Sequence, residues 1–351
     1  MSNQNSRIKD IALLAGVSIG TVDRVLHNRG EVALDTREKI LRIASDLNYS
    51  PNLMARALKT KRVINFVILL PEATENNPFW YKHQHGIDKA MNELSSFSVK
   101  LSYITYNGLN EEDFKIKSKE ILKDPPDGLI LAPVFKQKCI SFCNQLTNKH
   151  IPYVFIDTFI KEVDFLTFVG EEAYQSGRVA AQLIDYGTNQ EKDIVIINIT
   201  KNIESISKLN IRTKGFLSYF SDAGLNTGLK ISVEIKTPDE EEINKTLDRV
   251  FQQNKNIGAM FITNSKAHYI ANYIEKNKIK NINIVGYDLI DLNTRYLQMG
   301  YIKFLISQRP IDQTERGIKK LFDFIISKRV PIKTEYLPID VVTSENLSFF
   351  I

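Results

Sequence analysis

Gly16 sits between two short apolar periodicities, and that arrangement leaves few folds open to the first sixty residues. Ile8, Ile11, Ala12 and Ala15 recur at helical spacing, which gives a first helix one buried face. Gly16 ends it where a tight turn is needed, because glycine takes positive φ without steric cost. Ser18 has the chemistry of an N-cap, and Val22, Val25 and Leu26 form the buried stripe of a second helix. Two short helices joined by a turn of about 3–4 residues containing glycine make a helix-turn-helix. A third helix and a short hinge helix over 52–58 complete an all-α headpiece, residues 1–62.

Charge agrees with a nucleic-acid role for this segment. Residues 1–62 hold eleven lysines and arginines against six carboxylates, which accounts for the whole formal net charge of +5. Residues 63–351 therefore sum to zero, and the excess positive charge lies where phosphates would be met.

The rest of the chain has a different texture. Residues 63–70 are a β-rich apolar run closed by Pro71, as expected of a buried strand in a parallel sheet. Similar runs recur over 99–105, 128–132, 153–156, 194–199, 231–235, 259–262 and 282–287. Helical stretches lie between them, over 79–94, 111–123, 136–149, 172–186, 209–223, 239–254 and 266–278. Such alternation implies right-handed βαβ units and doubly wound parallel sheets. Nearly three hundred residues exceed one comfortable core, so residues 63–351 are expected to form two α/β lobes. With 43% apolar and 25% charged residues this is an ordinary globular composition. No window approaches ~18 uninterrupted apolar residues, so no membrane partner is expected. The polar first six residues lack the apolar core of a secretory signal, and a cytoplasmic location is expected. Cys139 and Cys143, four apart, read as buried free thiols.

The headpiece resembles the lactose-repressor (LacI) family of bacterial transcription regulators. The resemblance is carried in order by residues 8–12, 15–18, 21–26, 36–40 and 49–58, the last with Pro51, Asn52, Ala55, Arg56 and Leu58 at the hinge spacing. It implies DNA contacts from Ser18, Ile19, Gly20, Thr21, Asp23, Arg24 and Asn28, and from Asn52, Ala55, Arg56 and Leu58 of the hinge. Ile19 and Gly20 occupy the two variable base-reading positions and cannot make bidentate hydrogen bonds. Direct readout therefore leans on Arg24 and on apolar contact with thymine methyls. Asp23 stands where most members have serine, and a carboxylate near phosphates is unfavourable unless it pairs with Arg24 or accepts from cytosine N4. Arg7 and Ala33 replace the usual helix-capping hydroxyl residues.

Residues 63–351 resemble the type I periplasmic-binding-protein fold, the effector domain of the same family. The resemblance implies a two-lobed domain that binds a small carbohydrate-like effector in its cleft, with three chain crossings near 157–169, 287–293 and 307–309. It marks Phe79 and Trp80 for packing on a sugar, and Asp157, Arg212, Asn264, Asp288 and Gln308 for its hydroxyls. Those residue types suit hydroxyl recognition, since guanidinium and carboxylates make charge-assisted hydrogen bonds and amides offer both donor and acceptor. Thr158 follows Asp157 where sugar binders often carry arginine, which leaves the pentose or hexose preference open.

Other features point away from chemistry. His83 and His85 are two apart on a helix and diverge, which argues against a metal. Ser205 and Lys208 have the Ser-x-x-Lys spacing without a hydrolase's companion motifs. Acidic residues 239–242 open a helix, where they complement its dipole. No cofactor and no enzymatic activity are expected. The expectation is a homodimeric, DNA-binding transcriptional regulator, most simply a repressor, acting on a near-palindromic double-stranded operator under control of a monosaccharide or derivative. The alternative is the solute-binding protein of a sugar transporter, which shares residues 63–351 and lacks the headpiece.

Overall fold

The computed structural model describes residues 8–26, 30–47, 62–75, 77–200, 206–225, 228–236 and 239–351. The headpiece consists of α1 (Ile8–Ala15), α2 (Ile19–Leu26) and α3 (Leu34–Asp46) around Ile11, Val22 and Ile40, none with any exposed surface. Gly16 closes α1 at φ +71°, and its N–H and that of Val17 reach back to the carbonyls of Leu13 and Ala12. That pair of bonds satisfies carbonyls which the helix end would otherwise orphan. Ser18 Oγ accepts from the Thr21 N–H at 3.1 Å, so the expected N-cap of α2 forms. Ala33 precedes α3 with no side-chain cap. The hinge over 52–58, with Arg7 and Asn28, lies outside the described residues.

The first lobe begins with β1 (Ile64–Pro71), a 3-10 turn (Pro78–Tyr81) and α4 (Lys82–Glu93). It continues through β2 (Val99–Tyr106), α5 (Glu111–Lys123), β3 (Gly128–Leu131), α6 (Lys136–Asn148), β4 (Tyr153–Ile156) and β5 (Thr167–Gly170). The second lobe holds α7 (Ala173–Gly187), β6 (Asp193–Ile199), α8 (Ile206–Asp222), β7 (Lys230–Ile235), α9 (Glu240–Gln253) and β8 (Ile257–Ile262). It is extended by α10 (Ala267–Lys276), β9 (Asn283–Tyr287), α11 (Asp291–Gln298) and β10 (Ile302–Ser307). The chain then returns to the first lobe as α12 (Pro310–Ser327) and β11 (Thr334–Tyr336), and ends in the second as β12 (Asp340–Val342).

Each lobe carries one six-stranded sheet among the described residues, ordered β2-β1-β3-β4-β5-β11 and β7-β6-β8-β9-β10-β12. The two orders are equivalent, and every pairing is parallel except that of β10 with β12. Helices cover both faces, as the doubly wound reading requires. In the first lobe, Phe114, Cys139, Cys143 and Leu146 pack one face, and Ile87, Ala90, Ile318 and Phe322 the other. Both cysteines are fully buried free thiols.

The expected crossings need correction. The one near 307–309 is present, between β10 and α12. The first falls after Gly170, because β5 still pairs with β4 in the first sheet. No crossing occurs near 287–293, because β9 and β10 pair within one sheet. The remaining crossing lies between β11 and β12, near 336–340.

Two glycines fix the second lobe's internal spacing. A Cβ on Gly215 would lie 1.9 Å from the Tyr174 carbonyl oxygen, and one on Gly177 would lie 2.1 Å from that of Arg212. Helices α7 and α8 therefore touch backbone to backbone, and this contact sets the height at which Arg212 leaves α8.

Candidate functional site

The carboxyl ends of β4 and β9 each finish in an aspartate with left-handed backbone, Asp157 at φ +65° and Asp288 at φ +69°. Such φ is uncommon outside glycine and is held here by side chains. The Asp157 N–H donates to Gln313 Oε1 at 2.7 Å, and the Gln313 amide donates to the Gln308 carbonyl at 2.6 Å. Gln313 lies in the first turn of α12, so the helix that returns to the first lobe also clamps the end of β4.

Gln308, just beyond β10, is the hub. Its Oε1 accepts from Lys208 Nζ and from Arg212 Nη2, each at 2.6 Å, while Nε2 donates to Asp288 Oδ2 at 2.6 Å. Arg212 is 1% exposed. Its Nη1 donates to the Thr263 carbonyl at 2.6 Å, Nη2 also pairs with Glu171, and its guanidinium lies 3.7 Å over the Tyr287 ring. Burial penalises the Arg212 cation, yet Glu171, Tyr287 and Asp288 outweigh that penalty and its pKa rises. Asp288 behaves in the opposite way: burial pushes it up to about 7, against the pull of Arg212 and of the Gln308 hydrogen bond.

Lys208 reaches across from α8 to the first lobe. Its ammonium donates to the Asp157 carboxylate at 2.7 Å and to the Asp157 carbonyl at 2.9 Å. In the first lobe Trp80 and Phe79 are buried, 5% and 6% exposed, and Trp80 stacks on His83 with ring centroids 5.0 Å apart. Thr314 donates its hydroxyl hydrogen to the Pro310 carbonyl, so His83 Nδ1 donates to Thr314 Oγ1 at 2.7 Å and Nε2 is left as the acceptor. Burial lowers the His83 pKa to about 4, which keeps the ring neutral. A cavity of about 340 Å³ opens alongside, lined by Phe79, Asp288, Ser307, Arg309 and Phe350 among others.

Asp157, Arg212, Asp288 and Gln308 are thus brought into one hydrogen-bonded cluster, with Lys208 and Glu171. Asn264 stands apart: its amide donates to the Ile199 carbonyl at 2.7 Å and its oxygen accepts from the Lys266 N–H at 3.3 Å. Its neighbour Thr263 supplies the oxygen that Arg212 uses. Lys208, Glu171, His83 and Gln313 were not among the sequence candidates. Lys208 had a usable signal, since it lies one helical turn before Arg212 on the same face of α8. Three buried polar atoms of the site, His83 Nε2, Glu171 Oε1 and Arg212 Nε, have no partner among the described residues. Buried polar groups are normally satisfied, and hydroxyl groups, which donate and accept, suit all three. Among the described residues no cluster of His, Cys, Asp and Glu could hold a metal.

On the headpiece, Ser18, Ile19, Gly20 and Arg24 are exposed along α2, with Thr21 and Asp23 half-buried. Arg24 Nε donates to the Gly20 carbonyl at 3.3 Å, which folds the guanidinium along the helix. Asn28, Asn52, Ala55, Arg56 and Leu58 lie outside the described residues. No helix of the described residues is long and apolar enough to cross a membrane.

Residues 66–328 match the periplasmic binding protein domain family, and residues 7–52 match the bacterial regulatory proteins of the lacI family. The ribose operon repressor of Lactococcus lactis is 29% identical over 291 residues, 82% of each chain, and that of Bacillus subtilis is 26% identical over 80% of this chain and 81% of that protein. A solved structure from Bacteroides fragilis, described as a LacI transcriptional regulator, superposes with TM-score 0.76 at 28% identity over 82% of this chain and 99% of that one. The binding protein GanP of Geobacillus stearothermophilus, TM-score 0.70 at 22% identity over 82% and 99% of the two chains, shares the fold.

Proposed function

On the premise that the chain belongs to the periplasmic-binding-protein domain family, with a lacI-family regulatory headpiece before it, we propose that it is a cytoplasmic homodimeric repressor. Its operator binding is released or promoted by a monosaccharide in the interlobe cleft. The observation that carries this reading is the cluster around Gln308: charged side chains of both lobes converge on strand ends, and three buried polar atoms there have no partner among the described residues. Neutral polyols fit such a site, because each hydroxyl can answer a donor and an acceptor at once. Trp80 and Phe79 supply the apolar wall for the C–H face of a sugar. The names of the ribose operon repressors support a sugar of this size class.

In this reading α2 enters the major groove with Arg24 on a guanine. One headpiece offers too little surface for specific binding, and a dimer on a near-palindromic site doubles it. The hinge over 52–58 meets the minor groove, with Leu58 as a wedge. Effector shifts DNA affinity only by its differential affinity for two lobe arrangements, typically about 1–3 kcal/mol.

The test is operator binding with and without a panel of pentoses and hexoses, paired with calorimetric titration of the same sugars. A sugar that binds with 1:1 stoichiometry per chain and changes operator affinity supports the proposal. Sugar binding without any effect on operator binding would favour a transport-type solute-binding role. Analytical ultracentrifugation showing only monomer, with and without DNA, would reject the dimer.

A further inference from the structure

The geometry points to Lys208 as an internal occupant of the cleft, whose ammonium fills the donor position between Asp157 and Gln308 and ties the two lobes together until an effector displaces it. This rests on the reading of the cleft as the effector site. An ammonium has three hydrogens to donate. Here three oxygens take them: the Asp157 carbonyl at 2.9 Å, Asp157 Oδ1 at 2.7 Å and Gln308 Oε1 at 2.6 Å. Lys208 comes from α8 of the second lobe, Asp157 from the end of β4 in the first, and Gln308 from the crossing between them. The contact therefore joins both lobes and the crossing between them.

The pair is not a loose surface ion pair. The two side chains are only 13% and 15% exposed, and the Asp157 backbone is held in its unusual conformation by Gln313, so its carbonyl oxygen and Oδ1 face one cation. Exposed pairs contribute little because water competes; a shielded, multiply bonded ammonium is a stronger link.

The neighbours of Lys208 show why this residue is an occupant and not a free ligand contact. His83 Nε2, Glu171 Oε1 and Arg212 Nε have no partner among the described residues, whereas every donor of Lys208 is used by protein oxygens. A monosaccharide gains nothing from Lys208 until a hydroxyl pair takes over the Asp157 and Gln308 oxygens, and in doing so it replaces the ammonium. The effector thus exchanges one interlobe bridge for another. Ligand-free protein is partly closed by its own side chain, and the differential closure available to the effector is correspondingly smaller.

The experiment uses the full-length chain with fluorophores on Gln137→Cys in α6 and Lys245→Cys in α9, both exposed positions on different lobes; the native cysteines are fully buried. Interlobe energy transfer is read without any sugar. Lys208→Met, which keeps the length and loses the charge, is expected to change the transfer efficiency to that of an opened pair of lobes. Asp157→Asn should shift it in the same direction, and far-UV circular dichroism checks that both variants are folded. Transfer unchanged in both folded variants would overturn the tether. The second arm titrates D-ribose, D-glucose and the remaining sugars of the panel. For any sugar that binds the parent, Lys208→Met is expected to bind at least tenfold more tightly, because the competitor is gone. A loss of affinity would make Lys208 a ligand contact and overturn the occupant role. If no sugar binds the parent, the cleft reading itself fails, and the sugar-free transfer measurement still decides the tether.

Discussion

The polar side chains of the headpiece and those of the interlobe cluster are assembled over different sequence distances. In the headpiece the described contacts are local: Ser18 with Thr21, Arg24 with Gly20, Gly16 with Leu13. In the cluster Arg212 meets Glu171 41 residues away, Lys208 meets Gln308 100 residues away, and His83 meets Thr314 231 residues away. In the headpiece, Ser18 and Arg24 are exposed and easily altered one at a time. The cluster's charges are buried, and each depends on partners brought by a different strand. A change in the cluster should therefore unsettle folding and ligand response together, and a change on α2 should affect DNA affinity alone.

Arg212→Ala should test that contrast most severely. It leaves Glu171 buried without its cation, a situation that costs about 3–5 kcal/mol. Urea unfolding should show that loss in the effector domain, and the sugar response should vanish while sugar-free operator binding persists at temperatures where the variant is folded. A normal response would break the contrast. Gly215→Ala comes next: its Cβ would strike the Tyr174 carbonyl, and overpacking of this kind costs about 1–3 kcal/mol. Its midpoint should fall, and sugar affinity with it, because Arg212 is displaced along with α8. Arg24→Ala should cost about 1–3 kcal/mol of operator affinity and relax specificity at one base pair, with no change in thermal midpoint. Equal affinity of parent and variant for a selected operator would misplace α2.

The smallest effect is a pH dependence confined to the cleft. Asp288 is raised from 3.8 to about 7, so the folded state takes up its proton before the unfolded chain does. Its contribution to stability therefore grows as pH falls from about 7 towards 4. His83, lowered from 6.5 to about 4, works the other way in the same window, since the unfolded chain protonates first. Arg212, Glu171, Lys208 and Asp157 also face these two groups. The measurement is thus comparative: the midpoint of the parent relative to Asp288→Asn should improve between pH 7 and pH 4. A constant gap would reject the shift.

What the sequence disclosed follows the same division. The turn at Gly16, the cap at Ser18 and the buried stripe at Val22 and Val25 are short-range patterns, and each has the expected geometry. The strand–helix alternation is legible for the same reason. The crossings are not, because their positions depend on which sheet accepts a strand. The first falls later than expected: Thr167–Gly170 is four residues long and reads as loop until β4 pairs with it. Among site residues, Asp157, Asp288 and Gln308 are placed by the family resemblance, and Asp157 and Asp288 also directly follow apolar runs. Glu171 follows the short strand that the apolar pattern does not mark. His83 reads in the sequence only as half of a metal pair, and Lys208 only as part of a Ser-x-x-Lys spacing. Asn264 also ends an apolar run, yet its side chain is spent on the backbone of the adjacent strand end.

The return of α12 to the first lobe has a consequence for synthesis. Ile318, Leu321, Phe322 and Leu337 complete the apolar layer that also contains Phe66, Ile68, Ile130 and Val154. A ribosome that has made residues 1–300 has made most of the first lobe's sheet and α4, but not α12, the second helix that covers this layer. Domains generally fold as units while they are made, and uncovered apolar sheet faces invite aggregation. The lobe that emerges first must wait for a segment translated nearly last, while the sheet of the second lobe lacks only its last two strands. Nascent chains halted before residue 310 should therefore engage chaperones through the first lobe, and those extended past 340 should be released from them.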